Sequence, residues 1–413
     1  MAAFALAATL PTGDPDTYWP LASGAWMIEH RAILRADIFS STVSGQPYAL
    51  GEWLGEVALS VVFSAGGWAG IAIVRGLLVA IAAFFLVRLS RRRGAPLIAA
   101  LLVVMWAVAF SKTRWVDRPA IFTLVLFPVT LDLLYRARDG SRRALLAIPP
   151  PLLLWTNLHG GYVIGLALVL AFTVEAAAVR RRDAVPLLAT LVAGVLVSFL
   201  DPETFGLAGA AAHAFVPPRF ISEEAPPNVL DPTGLLFAAF VLATFVVAIF
   251  SGGELLDALL LIPLLWLALS AQRHLAFFVF AATPFIAAGA ARAYAQMRPH
   301  RTAFRPPPRA VSVVLGLAML VLAGASALGA PRGPDERAFP AAAVPALRAG
   351  SGTLLNEYDW AGSSSTASPS ARSSSTAGCS RSTRRSLAIT VTLSNSARDG
   401  ARFLLNTTCV RSS

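Results

Sequence analysis

Apolar runs about the length of a bilayer crossing alternate with short polar connections along most of this chain. A bilayer core takes about 20 residues as helix. On that measure the runs predict spans near 68–88, 95–111, 119–135, 144–156, 161–179, 185–200, 234–251, 254–271, 274–291 and 310–329. The run at 144–156 is the shortest. Pro128, Pro263 and Pro284 fall inside predicted spans, where neighbouring helices can satisfy the freed carbonyls. The opening "MAAFALAATL" (1–10) is half a span without the basic start of a signal peptide. It reads as the end of a first helix whose beginning is missing. "GEWLGEVALSVVFSAGG" (51–67) is also too short to cross and closes on Gly66-Gly67, so an interfacial helix is expected before the first complete span.

The fold class predicted is an all-α integral membrane protein, with about ten complete transmembrane helices and a truncated first one. Its expected organisation is a helix remnant at 1–10, a loop with the interfacial helix at 11–67, and a helical membrane domain at 68–330. A soluble segment begins at 331–360 and an irregular tail follows at 361–413. Composition narrows the class. Only 14% of the 413 residues are charged and the mean hydropathy is +0.64, too little charge to cover a soluble protein of this length.

The formal charge of +11 would point to nucleic acid in a soluble chain, but here the arginines cluster between apolar runs. Connections within 88–93, 136–143, 180–182 and 292–309 hold sixteen arginines, against seven basic residues in the longer alternate set (11–54, 112–118, 157–160, 201–233 and 271–274). The positive-inside rule therefore predicts a cytoplasmic arginine face and no nucleic-acid partner. The opposite face receives nearly every chemically able side chain, among them Asp14, Asp16, Glu52, Glu56, Arg114, Arg118, His159 and Arg273.

Several constellations on that outer face carry candidate chemistry. "GDPDTYWPLASGAWMIEH" (13–30) sets Asp14 and Asp16 directly after the helix remnant, beside Tyr18, Trp19 and Trp26. A carboxylate there can serve as general base or cation ligand, or belong to a solvated loop with interfacial aromatics. Glu52 and Glu56 stand four apart on one helical face, where two carboxylates repel unless a divalent cation, an arginine or a shared proton relieves them. Arg75 in the next span is a candidate partner and substrate contact. "SKTRWVDRP" (111–119) carries Lys112, Arg114 and Arg118, suited to a donor phosphate or to pairing with Asp117. "WTNLHGGYVIG" (155–165) puts His159 at a tight glycine turn, as hydrogen-bonder or substrate contact, and "QRHLAFF" (272–278) repeats the pattern with Arg273 and His274. The sequence has no P-loop, HExxH or GxSxG.

In their order, "DPDTYWPLASGAWMIEH", "ADIFSSTVSGQPYALGEWLGEV", "GGWAGIAIVRGLL", "RP" at 118–119, "WTNLHGGYVIG" and "LLNEYDW" resemble bacterial polytopic proteins of the GT-C glycosyltransferase superfamily. The relatives include protein-mannosyltransferase-like and arabinosyltransferase-like enzymes, and the resemblance covers most of 10–360. It implies a polyprenyl-phosphate sugar donor, a glycan, lipid or protein acceptor, and surrounding membrane lipids. It implies a catalytic carboxylate in the first outer loop, which falls on Asp16, with Asp14 next. Glu52 and Glu56 match the family's second acidic motif, as ligands of a cation or of the acceptor. Arg114 and Arg118 would meet the donor phosphate, and Trp19 would stack on a sugar ring or lipid headgroup. Pro20 and Gly51 stand where relatives carry histidine, which puts full activity in question. The implied setting is the outer face of a bacterial inner membrane. Rival readings are a sugar-lipid transporter, which would need ionisable groups at mid-span (Arg75, Asp132 and Glu175 are the candidates), and a non-catalytic membrane protein or decayed gene product.

Past Trp360 the composition changes abruptly. Residues 361–386 contain eleven serines, against sixteen in the first 360. Disorder is one reading. A one-base shift of TCG serine codons to GTC valine is another. It turns "GSSSTASPSARSSSTAGCS" into approximately "LVVDRVAVGPVVVDGRLL", resembling the segment that family members carry after Asn-Glu-Tyr-Asp-Trp. The tail is thus expected to be out of frame, in place of a small outer α/β domain.

Overall fold

The computed structural model describes residues 2–297 apart from 11, 13–14, 40–43, 49–50, 203–222, 224 and 229, together with 354–356 and 373–375. Twelve helices are described: α1 Ala2–Ala8, α2 Tyr18–His30, α3 Trp53–Arg92, α4 Leu97–Phe110, α5 Ala120–Arg138, α6 Arg142–Leu146, α7 Pro149–Leu158, α8 Tyr162–Val179, α9 Arg181–Ser198, α10 Pro232–Ser251, α11 Leu255–Ser270 and α12 Leu275–Met297. Among the described residues, five stretches are long and apolar enough to cross a membrane (in α3, α5, α8, α10 and Gln272–Gln296, which takes in most of α12), and α4 and α11 are shorter apolar helices. This is the architecture of a multi-pass membrane protein.

The span predicted at 144–156 is not one helix: the chain turns at Ala147 and Ile148 between α6 and α7. Its longer piece, α7, has 10 residues and rises about 15 Å, half a bilayer core. The run 310–329 lies outside the described residues. Within α3 the backbone breaks at Gly67 (φ 56°, ψ −148°), a left-handed conformation that favours glycine, so residues 53–66 and 68–92 are separate rods.

α12 lies in the middle of the bundle, with 89% of its apolar window buried, whereas α10 is peripheral at 28%. Phe277 and Phe280 of α12 meet Phe127 of α5, and Phe278 meets Phe237 of α10 edge-on. The helices α2 and α3 cross closely at Gly24, where a Cβ would overlap the Glu56 carbonyl and come 2.7 Å from the Ser60 Cβ.

Arg75 ties the start of the chain to the bundle. Its Nε donates to the Ala7 carbonyl (3.0 Å) and one Nη to that of Leu10 (2.6 Å). The other Nη grips both oxygens of Asp117 at 2.9 and 3.0 Å. The carbonyls at the end of α1, which have no partner within the helix, are thereby satisfied. Gly76, one residue on, lets the Phe4 ring approach to where a Cβ would stand 2.9 Å away.

The loops sort to two ends of the bundle. One end, with the arginine-rich connections, is clamped by ion pairs. Arg93 holds Asp257 through both oxygens and also donates to the Tyr135 hydroxyl. Arg138 bridges Glu175 (2.9 Å) and Glu254 (2.6 Å), Arg180 bridges Glu175 (2.9 Å) and Asp183 (3.0 Å), Arg92 meets Asp139 at 2.7 Å, and Arg88 approaches Asp132 at 3.3 Å. The loop count predicted an arginine face here; the helices add six carboxylates at this end that pair with those arginines.

A second unit is described at 36–39, 44–47, 354–356 and 373–375. Within it, Ala36 and Pro47 form an antiparallel bridge, and β1 (Leu354–Asn356) pairs in parallel with β2 (Ser373–Ser375). Apart from β2, the serine-rich tail lies outside the described residues.

Candidate active site

The loops opposite the ion-pair clamp bring most of the sequence-predicted residues together. Asp16 lies on a single 3-10 turn leading into α2. Its Oδ2 accepts from an Nη of Arg118 at 2.7 Å. The same nitrogen lies 3.8 Å from Glu223, whose other oxygen takes an Nη of Arg114 at 2.9 Å. Asp16, Arg118, Glu223 and Arg114 therefore form one chain of alternating charge. Asp14 lies outside the described residues. At Glu223, burial pushes toward the neutral form, but the Arg114 hydrogen bond and the charges of Arg114, Arg118 and Arg273 outweigh it. The carboxyl is held below its ordinary value.

A second group adjoins the first through Gly55. A Cβ there would overlap the Leu158 carbonyl oxygen and stand 2.8 Å from the Pro119 Cβ. This one glycine lets the start of α3, the end of α7 and the Arg118-Pro119 turn touch. Gly55→Ala is expected to cost about 1–3 kcal/mol through forced backbone shifts, read as a lower melting temperature of the detergent-solubilised protein. Beside Gly55, the Trp53 indole donates to Asn157 Oδ1 at 2.8 Å, and Glu52 Oε1 lies 3.3 Å from His159 Nε2. His159 Nδ1 accepts the Gly161 N–H at 2.9 Å and lies 2.8 Å from the Thr123 hydroxyl. The Trp155 indole in turn donates to that hydroxyl at 2.8 Å. Burial pushes the His159 imidazole below its ordinary value; Glu52 opposes the shift, and Arg114 and Arg273 reinforce it. The net push on the ring is toward its neutral form.

Glu56 is buried, and its Oε2 has no hydrogen-bond donor among the described residues. Trp19 is half-buried on α2, next to Tyr18, whose ring meets Trp68 edge-on at 5.7 Å. Arg273 is half-buried in the turn before α12, near enough for its charge to act on Glu223 and His159. Gln272 anchors this turn to 225–226 through two carbonyls, its backbone N–H donating to the Ala225 oxygen at 3.0 Å and its side-chain amide to that of Pro226 at 3.5 Å.

Two pairings differ from expectation. In the contacts described, Asp117 pairs with Arg75 and not with Arg114 or Arg118. In the contacts described, Arg75 reaches Asp117 and the Ala7 and Leu10 carbonyls and not Glu52 or Glu56, so its three nitrogens tie parts of the fold together. The donor set for a divalent cation is also thin. No group of three or more His, Cys, Asp or Glu among the described residues is placed to hold a metal, and Glu52 is engaged with His159. Sequence reasoning missed Glu223, Thr123 and Trp155. Glu223 lies in the proline-broken "ISEEAPPN", where no periodicity marks a site residue, and the other two lie in apolar runs.

No family model and no curated protein matches the sequence. Solved structures do. The chain is similar to the archaeal oligosaccharyltransferase AglB from Archaeoglobus fulgidus in complex with an inhibitory peptide and a dolichol-phosphate, with a TM-score of 0.58 and 13% identity over 88% of this chain. The apo form of the Archaeoglobus fulgidus oligosaccharyltransferase gives a TM-score of 0.56 at 13% identity, again over 88% of this chain. This chain carries a GT-C-like fold. It spans 60% of the length of each of those proteins. In this GT-C-like bundle the polar side chains around Asp16 and His159 gather at one end and the ion-pair clamp closes the other.

Proposed function

We propose that the protein is a membrane glycosyltransferase that moves a sugar from a polyprenyl-phosphate-linked donor to an acceptor hydroxyl. The observation that carries this reading is the chain Asp16–Arg118–Glu223–Arg114 at one end of a GT-C-like bundle. A transferase of this kind needs a base for the acceptor and cations for the departing phosphate. Asp16 takes the hydroxyl proton as the acceptor oxygen bonds to the anomeric carbon. The bond from that carbon to the phosphate oxygen breaks, and its electron pair stays on the phosphate. Arg114 and Arg118 meet the developing charge with guanidinium hydrogen bonds, the phosphate displacing Glu223 from Arg114. Trp19 and the neighbouring Tyr18 offer faces for a sugar ring. The acceptor is a glycan, lipid or protein, and the setting is a bacterial inner membrane crossed several times.

Membranes carrying the protein, incubated with labelled polyprenyl-phosphate sugars, test the reading. Transfer that depends on Asp16 supports it, and no transfer with any such donor would sink it. Orientation is tested separately, in a background without Cys379 and Cys409. A cysteine at position 160 is expected to react with an impermeant thiol reagent in intact cells, and one at 140 is not. Labelling at 140 would reverse the assignment of faces.

The transporter alternative has less to stand on. Glu175 is paired twice and Asp132 lies beside Arg88, both at the clamped end, while Arg75 is bound to Asp117.

A further inference from the structure

We propose that Trp155, Thr123 and the Gly161 backbone hold His159 as a neutral ring whose Nε2 proton positions the Glu52 carboxylate to receive an acceptor hydroxyl. Only the last clause rests on the glycosyltransferase reading.

Donors and acceptors along the relay fix the tautomer. A tryptophan indole can only donate, so the Thr123 oxygen accepts from Trp155. The threonine proton is then free for His159 Nδ1, 2.8 Å away. The Gly161 N–H is also a pure donor and also bonds Nδ1. With donors on Nδ1, that nitrogen is bare, and the ring proton sits on Nε2, facing Glu52 Oε1 at 3.3 Å. Protonating the ring would set a new N–H against the backbone N–H of Gly161, which cannot rotate away. Trp155 and Thr123 are almost wholly buried, so water does not compete for these bonds.

The surroundings agree with a neutral ring. The charged groups acting on His159 are Glu52, Glu223, Arg114 and Arg273, two of each sign, from four separate parts of the chain. A neutral donor leaves the Glu52 charge in place while fixing the direction of its carboxylate. The Glu52 side chain remains 37% exposed, open to a hydroxyl from outside. Packing fixes the relay as well. A Cβ on Gly161 would stand 2.5 Å from the Thr123 oxygen and 2.9 Å from His159 Nδ1, so any side chain there would pry the two apart.

The test is spectroscopic and needs no sugar donor. Protein labelled with [15N]histidine in lipid nanodiscs gives the tautomer of each ring, with the His159 signal identified by its loss in His159→Gln. The expected result is the Nε2–H tautomer from about pH 8 to about pH 6, across the range where an ordinary histidine titrates. An imidazolium at neutral pH, or a proton on Nδ1, would overturn the proposal. Thr123→Val is expected to admit a population with the proton on Nδ1, and Thr123→Ser to restore the single form. An unchanged spectrum in Thr123→Val would remove Thr123 from the relay. Where transfer is measurable, Thr123→Val should lower kcat/KM for the acceptor roughly fivefold, the equivalent of one ordinary hydrogen bond, with rescue by serine. If no transfer is found with any donor, the spectra still decide the relay.

Discussion

Asp16→Asn is expected to reduce sugar transfer by about 100- to 10,000-fold while the protein still inserts, since that is the range a positioned base contributes. The substitution keeps size and shape but removes the carboxylate charge, and with it the ability to take a proton. The structure adds a control. Asp16 is bound to Arg118 at 2.7 Å, so its loss also releases a guanidinium toward Glu223. Arg118→Gln breaks the same ion pair without touching the carboxylate, but it also removes a contact assigned to the donor phosphate, so it too is expected to lose activity. Activity retained in Arg118→Gln would show that neither the ion pair nor that contact is required. Full activity in Asp16→Asn would remove the role, and a greater loss in Asp14→Asn would move it two residues upstream.

The largest effect on folding is expected at Arg75. Removing one partner from a buried ion pair leaves the other charge uncompensated, which costs about 3–5 kcal/mol. Arg75 and Asp117 are 3% and 2% exposed, and the arginine also holds the Ala7 and Leu10 carbonyls. Arg75→Met should therefore lower the melting temperature sharply and loosen α1. Asp117→Asn should be milder, because the carbonyl contacts survive. Replacing both residues with apolar ones of similar volume should recover part of the loss. A melting temperature unchanged in Arg75→Met would show that the pair adds nothing to the fold.

Most helices were legible because lipid and core both demand uninterrupted apolar runs, and α4, α5, α8, α10, α11 and α12 each fall on one. The weak point was 144–156, where "IPPP" reads as part of a span by composition but starts a new short helix. The site was legible by residue type and not by pairing. Asp16, Arg114, Arg118, Glu52 and His159 announce themselves as polar groups at loop ends. That Asp117 serves Arg75, and that Glu223 holds Arg114, depends on helix crossings such as the one at Gly55. Thr123 and Trp155 were hidden for a different reason. Each is an unremarkable residue in an apolar run until a ring nitrogen comes within reach.

The bond between Arg93 and Asp257 joins positions 164 residues apart. During synthesis the arginine emerges long before this carboxylate, and until α11 enters the bilayer the Tyr135 hydroxyl of α5 is its protein partner, with water and lipid phosphate around it. This last latch of the clamp closes late, when most of the helices are already in place. A nascent chain stopped before Asp257 would keep the nearer pairs of Arg92 with Asp139 and of Arg138 and Arg180 with Glu175, and would leave Arg93 without its carboxylate.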